Sequence, residues 1–518
     1  MTDARLIFQR NGSMLVTPGD GLDKILRTAR LCAQLRSIVA GSYVYDLSPV
    51  ALWGAAARGV TASDLLAELA NASSMPIPGP TAARIVEVIG RYGAVEIVNW
   101  DSRTALVARS REVLIEIGIE PPADGSKTVA LAQRDVARYK LAAVRAGWPV
   151  VDRRQRESIT LPIVLRDDVR LRTYQAGAVA AFEAGRDGVV LLPCGAGKTM
   201  VGVAAAAQSG GPVLVLVPSR TVGEQWRAAF SNATHCHPEH VCWSGDPGND
   251  QQITIATYHA ATSGKVAGEL VGRRWRLVVY DEVQSLPADM FRLAAAVEAD
   301  RRLGLSATLV REDGREAEVF ALVGPPLYEA SWLELERDGW IAPARCIEVR
   351  VPAGSIDSES LRYRMAVVQR LLAQHDREAT IVVGTDVASL RAIGKRLGFP
   401  VLTGASSTER RAAYLGAFRA GEVRTLGLSR IGTVGIDLPD ASVLIQVSGT
   451  FGSRQEEAQR LGRVLRPAAG KTAHFYTIVA AGTREQHFAA RRQRFLVNQG
   501  YTYDILDAAT LPRTQSPS

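Results

Sequence analysis

Cysteine, lysine and long apolar runs are all scarce in this chain, and each shortage closes off a class of protein. Five cysteines in 518 residues (Cys32, Cys194, Cys236, Cys242 and Cys346) are scattered and odd in number, which excludes a disulfide-stapled secreted scaffold. No apolar run approaches the roughly 18 residues of a membrane-spanning helix, and the N-terminal MTDARLIFQR has no signal-peptide layout. These absences predict a cytoplasmic protein with no membrane partner. Only seven of the 61 basic residues are lysine; the rest are arginine. Against 53 acidic residues they leave a net charge of +8 and a pI near 9.3, a mild bias toward a polyanionic partner. The length predicts three or four domains with ample core.

What is present is sharper. Residues 190–199 read VLLPCGAGKT and residues 280–284 read YDEVQ. The first follows an apolar run, Gly188 to Leu192, and precedes an alanine-rich helical stretch from Lys198. A strand, a glycine turn and a helix start aim backbone N–H groups at one point, which suits a polyphosphate cradled by Pro193, Cys194, Gly195, Ala196 and Gly197. Lys198 is placed to reach the outer phosphates, and the Thr199 hydroxyl to hold Mg²⁺. The full GxxxxGK[ST] pattern has glycine where Leu192 stands, so this is a variant form. In the second segment the mostly apolar RLVVY ends in Asp281 and Glu282. Adjacent carboxylates at the end of a buried strand are costly unless a cation or reacting water sits there. Asp281 is the expected Mg²⁺ partner, and Glu282 the base that orients the attacking water.

Alternating short apolar strands and helices predict an α/β fold: two RecA-like parallel-sheet lobes preceded by small α+β domains. The expected divisions are an N-terminal module over 1–120, a small domain over 121–168, an ATP-binding lobe over 169–343, a short inter-lobe linker over 344–378, a second lobe over 379–500 and a tail over 501–518. Lobe strands are expected at 188–192, 213–217, 253–256, 276–280 and 303–305, then at 380–384, 400–402, 424–428, 442–447 and 473–479. In the N-terminal module, Ser48-Pro49 and Thr61 to Asp64 read as helix starts, with a third helix from Thr81 and a strand at 94–98. That order fits a winged-helix-like module or a generic small α/β domain packed on the motor. The RRQR run at 153–156 reads as a solvated linker rather than a binding patch.

Residues 455–466, QEEAQRLGRVLR, put Arg463 and Arg466 three apart on a helix, so both can reach one γ-phosphate as arginine fingers, with Gln459 and Arg460 alongside. The hydroxyls of Ser306 and Thr308 in SAT can hydrogen-bond to Gln284 and couple nucleotide state to domain movement. Arg172 and Gln175 lie upstream of the phosphate loop, where a glutamine can read adenine N6 and N7. Arg220 and Thr257, at strand ends, can grip a sugar-phosphate backbone without reading sequence, and Trp226 reads as core packing rather than a base-stacking platform. His235, Cys236, His237, His240 and Cys242 have irregular spacing that fits a polar loop better than a zinc site.

Taken together, LPCGAGKT, DEVQSLPADMF, LGLSATLVREDGR, VGPPLYEASWLELERDGWIAPARC and SGTFGSRQEEAQRLGRVLRP resemble the XPB helicases of superfamily 2, their bacterial members in particular. The resemblance is strongest over about 169–345 and 379–500; it implies an XPB N-terminal domain over 1–120 and a damage-recognition-like domain over 121–168. It further implies an ATP- and Mg²⁺-dependent DNA translocase or helicase of 3′→5′ polarity, in nucleotide excision repair or related transactions. Arg311, Glu312 and Asp313 stand where that family has its RED motif, tied to duplex opening, and Asp437 in GIDLP matches a motif that senses nucleotide.

Two departures stand out. Gln284 occupies a position where histidine is more usual, and only about 35 residues join the lobes, too few for a full DNA-gripping thumb. The alternatives are therefore a duplex translocase or remodeller that loads a partner such as a nuclease, and, in another class, an ATP-switched DNA-binding scaffold.

Overall fold

The computed structural model describes residues 3–9, 11–39, 42–101, 103–154, 161–193, 195–244, 252–286, 288–309, 311, 314–330, 332–353, 357–429, 441–447, 472–486, 489 and 503–511. The chain divides into two compact units. One holds residues Met1–Leu192 and Gly197–Glu329; the other holds Ala330–Ser518 and the tetrapeptide Pro193–Ala196. Among the described residues, no helix is long and apolar enough to cross a membrane.

The first unit begins with a four-stranded antiparallel sheet, in the order Leu6–Phe8, Met14–Val16, Ser42–Leu47, Ala33–Val39. Ser48 and Pro49 open the helix Pro49–Ala57, where the Ser48 hydroxyl accepts from Ala51 N at 3.4 Å. Thr61 and Asp64 form a reciprocal capping box on Ala62–Ala72, worth about 1 kcal/mol to that helix. The helix Leu22–Cys32 goes unforeseen because its cap is Gly21, in the left-handed region, with no side-chain oxygen to announce a start.

A second sheet runs Thr128–Leu131, Arg103–Ala108, Val95–Trp100, Val150–Asp152. It draws strands from both sides of the expected boundary at residue 120, and Val95, Ile97, Leu106, Leu114, Leu131 and Val136 share one core. One sheet with one core is one folding unit, so that boundary does not describe the structure. Nor is all of the RRQR run solvated: Arg153 is exposed, as expected, but Arg154 is not. Arg154 is buried, with its guanidinium on Asp152 at 2.8 Å and Gln133 at 2.7 Å, while Arg153 pairs with Glu96 at 2.6 Å.

Seven parallel strands form the third sheet, in the order Val241–Trp243, Ile253–Thr257, Val213–Val217, Trp275–Asp281, Ala299–Ser306, Gly188–Leu191, Pro326–Glu329. Valine and leucine runs on the central strands are buried on both faces, as helix-covered parallel sheets require. The strand Ala299–Ser306 starts four residues earlier than expected because Asp300, Arg301 and Arg302 read as a polar loop. Each is buried with partners: Asp300 with Arg274 at 2.9 Å, Arg301 with Glu183 at 2.6 Å, and Arg302 donating to the Val297 carbonyl at 2.8 Å.

The second unit holds another seven-stranded parallel sheet: Val401–Leu402, Thr425–Ser429, Thr380–Gly384, Val443–Gln446, Ala473–Ala480, Ala344–Val351, Tyr503–Asp507. Two expectations are corrected here. Residues 344–378 are not a free linker, because Ala344–Val351 is an interior strand and the helix Asp357–Gln374 buries Val367, Val368 and Leu371 in the same core. The 501–518 segment is not wholly a tail, since Tyr503–Asp507 adds an edge strand beside Ala344–Val351. The first misreading has a clear cause, since an interior strand with Arg345, Glu348 and Arg350 carries too much charge to look buried on its own. The second follows from it, because the largely exposed residues 504–507 are a strand only by pairing with that neighbour.

Candidate nucleotide site

The phosphate loop leaves the strand Gly188–Leu191 and enters the helix Lys198–Ser209. Leu192, in the variant position, is fully buried and its N–H donates to the Ser306 carbonyl at 2.9 Å, tying the loop to the neighbouring strand. Gly195 and Gly197 have φ of 83° and 76°, left-handed values that residues with a Cβ rarely adopt. No side chain caps the Lys198 helix; Met200 N turns back to the Gly197 carbonyl at 3.0 Å, and the helix start behind a glycine turn is the geometry that suits an anion.

Gln175 is buried and spends its carboxamide on main chain. Its Oε1 accepts from Arg172 N at 3.0 Å and its Nε2 donates to the Gly197 carbonyl at 3.4 Å. A Cβ on Gly197 would lie 2.6 Å from that nitrogen. Here Gln175 staples the phosphate loop, a contact that leaves the loop glycine no room to change. The Arg172 guanidinium donates to the Tyr174 hydroxyl at 3.1 Å.

Asp281 and Glu282 end the strand Trp275–Asp281 and are both buried. Glu282 has φ 54°, a strained conformation for a residue with a side chain, held where its carboxylate meets Lys198 Nζ at 3.4 Å. Lys198 Nζ also donates to the Leu192 carbonyl at 3.5 Å. Burial, then the neighbouring Glu282 charge, pushes the Asp281 carboxyl up to about 6, against the Trp226 hydrogen bond and the Lys198 charge. A carboxylate so reluctant to ionise is a group for which a divalent cation is a strong relief. With Thr199 at the start of the adjoining helix, the donor set of hydroxyl and carboxylate oxygen fits Mg²⁺.

Gln284 joins the acidic loop to the next strand. Its Nε2 donates to Glu282 Oε2 at 2.7 Å, and the Ser306 hydroxyl lies against its Oε1. The same hydroxyl lies against the Thr308 carbonyl and accepts from Thr308 N at 3.0 Å. With one hydrogen, Ser306 can donate to Gln284 or to Thr308 at any moment but not to both. Arg311 is turned onto the acidic loop: it donates to the Gln284 carbonyl at 2.5 Å and the Leu286 carbonyl at 3.0 Å, and its guanidinium sits 5.1 Å from the centre of the Phe291 ring.

Thr257 ends its strand beside Val217, at the same sheet edge as Leu191, Asp281 and Ser306, and Arg220 opens the helix Arg220–Ala233 that follows the Val217 strand. Thr257 caps a short helix by accepting from Ala260 N at 3.1 Å, and the Arg220 guanidinium lies 4.7 Å over the Trp243 ring. Thus Lys198, Asp281, Glu282, Gln284 and Ser306 converge, with Gln175 behind the loop. Cys194, Glu312, Asp313, Asp437, Gln459, Arg463 and Arg466 lie outside the described residues.

Two functional neighbours escaped the sequence reading. Trp226 is fully buried, as its core assignment expects, yet its Nε1 donates to Asp281 Oδ2 at 2.8 Å. Tyr258 donates to the Asp281 carbonyl at 2.5 Å. The available signal was Gly202, one turn into the phosphate-loop helix, where a Cβ would fall 2.2 Å from the indole. Among the histidines and cysteines of 235–242, Cys236 Sγ lies 3.1 Å from Gln252 Oε1 and Cys242 Sγ donates to the Glu239 carbonyl at 2.9 Å, as a polar loop.

Similarity to known proteins bears on this geometry. Family models match as "ERCC3/RAD25/XPB C-terminal helicase" over residues 361–516, "Type III restriction enzyme, res subunit" over 168–311 and "Helicase conserved C-terminal domain" over 6–132. The chain is 40% identical to the DNA 3′-5′ helicase XPB of Mycobacterium tuberculosis, over 99% of both chains. It belongs to the XPB family. A second XPB relative, from Kineococcus radiotolerans, is 39% identical over 98% of this chain and 97% of its own. The XPB/SSL2 subunit of the general transcription and DNA repair factor IIH of Saccharomyces cerevisiae is 34% identical over 74% of this chain and 50% of its own length. In fold alone, the chain is similar to the DNA-bound Type ISP restriction-modification enzyme LlaBIII, with a TM-score of 0.50 and 14% identity over 66% of this chain and 31% of that one. The full-length XPB match includes the N-terminal sheets as well as the two parallel ones.

Proposed function

We propose that the chain is an ATP- and Mg²⁺-dependent DNA translocase and 3′→5′ helicase, acting in nucleotide excision repair or related DNA transactions. The observation that carries the reading is the Lys198–Glu282 pair at 3.4 Å beside buried Asp281, on the carboxyl edge of a parallel sheet. Mg²⁺ held through Thr199 and Asp281 would supply charge neutralisation for the β- and γ-phosphates. Lys198 leaves Glu282 for the outer phosphates when nucleotide enters, which frees that carboxylate to orient water. Gln284 keeps Glu282 in position, and the single Ser306 hydrogen links the acidic loop to the end of the strand Ala299–Ser306 and the Thr308 turn beyond it. Arg463 and Arg466 are the proposed arginine fingers, with Gln459 and Asp437 at the nucleotide. Arg220 and Thr257 are proposed to meet the DNA backbone, a role consistent with the net charge of +8. Arg311, Glu312 and Asp313 are the proposed duplex-opening segment.

One observation favours a second reading. Residues 344–351 and 357–374 form a core strand and its packed helix, so among the described residues of 344–378 little chain remains for a full thumb. A duplex translocase that loads a partner, such as a nuclease, needs no thumb. ATPase rates with single-stranded, duplex and forked DNA and with RNA, set beside strand-displacement and triplex-displacement assays, test both. Forked-DNA stimulation with strand displacement supports the helicase; triplex displacement alone supports the translocase. No stimulation by any nucleic acid points instead to an ATP-switched scaffold and overturns the motor.

A further inference from the structure

Three donors in the second unit remain outside this function. His375 follows the helix Asp357–Gln374, Glu378 lies in the turn before the strand Thr380–Gly384, and His474 is the second residue of the strand Ala473–Ala480. Their ligand atoms lie within 4.8 Å of one another. His375 is 5% exposed; its Nδ1 is 2.8 Å from Glu378 Oε1 and its Nε2 is 2.9 Å from the Tyr476 hydroxyl. The two imidazole rings are 4.7 Å apart, centre to centre. His474 Nδ1 is buried without a hydrogen bond, an arrangement that costs free energy unless something occupies the lone pair or proton.

We propose that His375, Glu378 and His474 bind one divalent transition-metal ion of the zinc class, pinning the end of the helix Asp357–Gln374 to the strand Ala473–Ala480. Two imidazoles and one carboxylate are the donors of a three-ligand zinc site, and the nitrogen share disfavours Mg²⁺ and Ca²⁺. The metal replaces the proton between His375 Nδ1 and Glu378, while Nε2–H donates to Tyr476, the partner that orients the ring. Metal–ligand bonds of about 2.0–2.2 Å place tetrahedral donors roughly 3.3 Å apart, so the His375–Glu378 pair must open from 2.8 Å while the widest pair, now within 4.8 Å, closes; the partly exposed Glu378 side chain has room to shift. Burial, His375 and Arg345 hold the His474 pKa below the usual imidazole value, against Glu378 and the Thr472 backbone. Arg345 pairs in register with His474 and its charge opposes the cation; the Glu378 carboxylate offsets it. The cluster sits at the amino ends of its strands, opposite the edge where α/β sheets bind nucleotide, and so stands apart from that edge.

The test uses the full chain, stripped with chelator and titrated with Co²⁺ and Zn²⁺ without nucleotide. One equivalent of Co²⁺ with the visible absorption of a four- or five-coordinate site is expected, and Zn²⁺ should displace it and raise the unfolding temperature. His474→Gln and Glu378→Gln should each weaken binding more than tenfold and erase the thermal shift, with DNA-stimulated ATPase unchanged. Tyr476→Phe should weaken binding roughly tenfold or more. Should His474→Gln lose its native circular dichroism, the surface-reaching Glu378→Gln decides. No stoichiometric binding, or binding indifferent to both variants, overturns the site. So does binding lost only in Cys242→Ser, which would move the metal to the 235–242 loop.

Discussion

Gln284 Nε2 donates to Glu282 Oε2 at 2.7 Å, so the amide of one residue aims the carboxylate of the other. Because a carboxylate only accepts, the Gln284 oxygen must face the other way, toward the Ser306 hydroxyl. The pair links the acidic loop to the strand Ala299–Ser306.

Gln284→Ala should cut that link. DNA-stimulated hydrolysis is expected to fall by about tenfold or more, with nucleotide affinity nearly unchanged. Steady-state rates with and without forked DNA, together with nucleotide titration, check it. A variant stimulated by DNA as fully as the parent would show that coupling runs elsewhere.

Lys198→Ala removes the cation facing Glu282 and the outer phosphates, and should abolish hydrolysis. Glu282→Gln should trap ATP with binding intact. Arg463→Ala should lose hydrolysis by ~10³ or more yet still bind nucleotide. Single-turnover assays separate the three; an active Arg463→Ala would mean that another arginine serves.

Trp226→Phe keeps most of the buried volume and removes the N–H that Asp281 accepts. A stability loss of about 1–2 kcal/mol is expected from the unsatisfied carboxylate, together with a higher Mg²⁺ requirement. Urea unfolding and Mg²⁺ titration of ATPase measure the two effects. A normal Mg²⁺ requirement would limit Trp226 to packing.

Asp281→Asn should stabilise the metal-free protein while destroying activity. The folded carboxyl is raised from 3.8 to about 6, so the folded state holds the proton more tightly than the unfolded chain. Its cost is absent below about pH 4, grows as pH rises toward 6 and is constant above. The variant's advantage should follow that course, reaching on the order of 3 kcal/mol at pH 7. Urea midpoints in chelator at pH 4.5, 6 and 8 report it; an advantage that does not grow with pH would locate the strain elsewhere.

Much was legible locally. The glycines, Lys198 and the Asp281–Glu282 pair announce chemistry because each residue type is costly or useless in an ordinary strand end. Ser48, Pro49, Thr61 and Asp64 mark helix starts because capping is a contact between residues three apart. The apolar runs at 213–217 and 380–384 declare strands buried on both faces.

The sequence by itself determined the candidate nucleotide loops, the α/β class and the family, since those are carried by local motifs and apolar runs. Only the tertiary structure decided that Asp300, Arg301 and Arg302 are interior, that 503–507 is a strand, that Trp226 holds Asp281, and that His375 meets His474 across 99 positions. The physical reason is shared: a buried charge or ring nitrogen is tolerated only for the partner it meets, and in a parallel sheet that partner is brought by a distant strand or crossover that local sequence does not name.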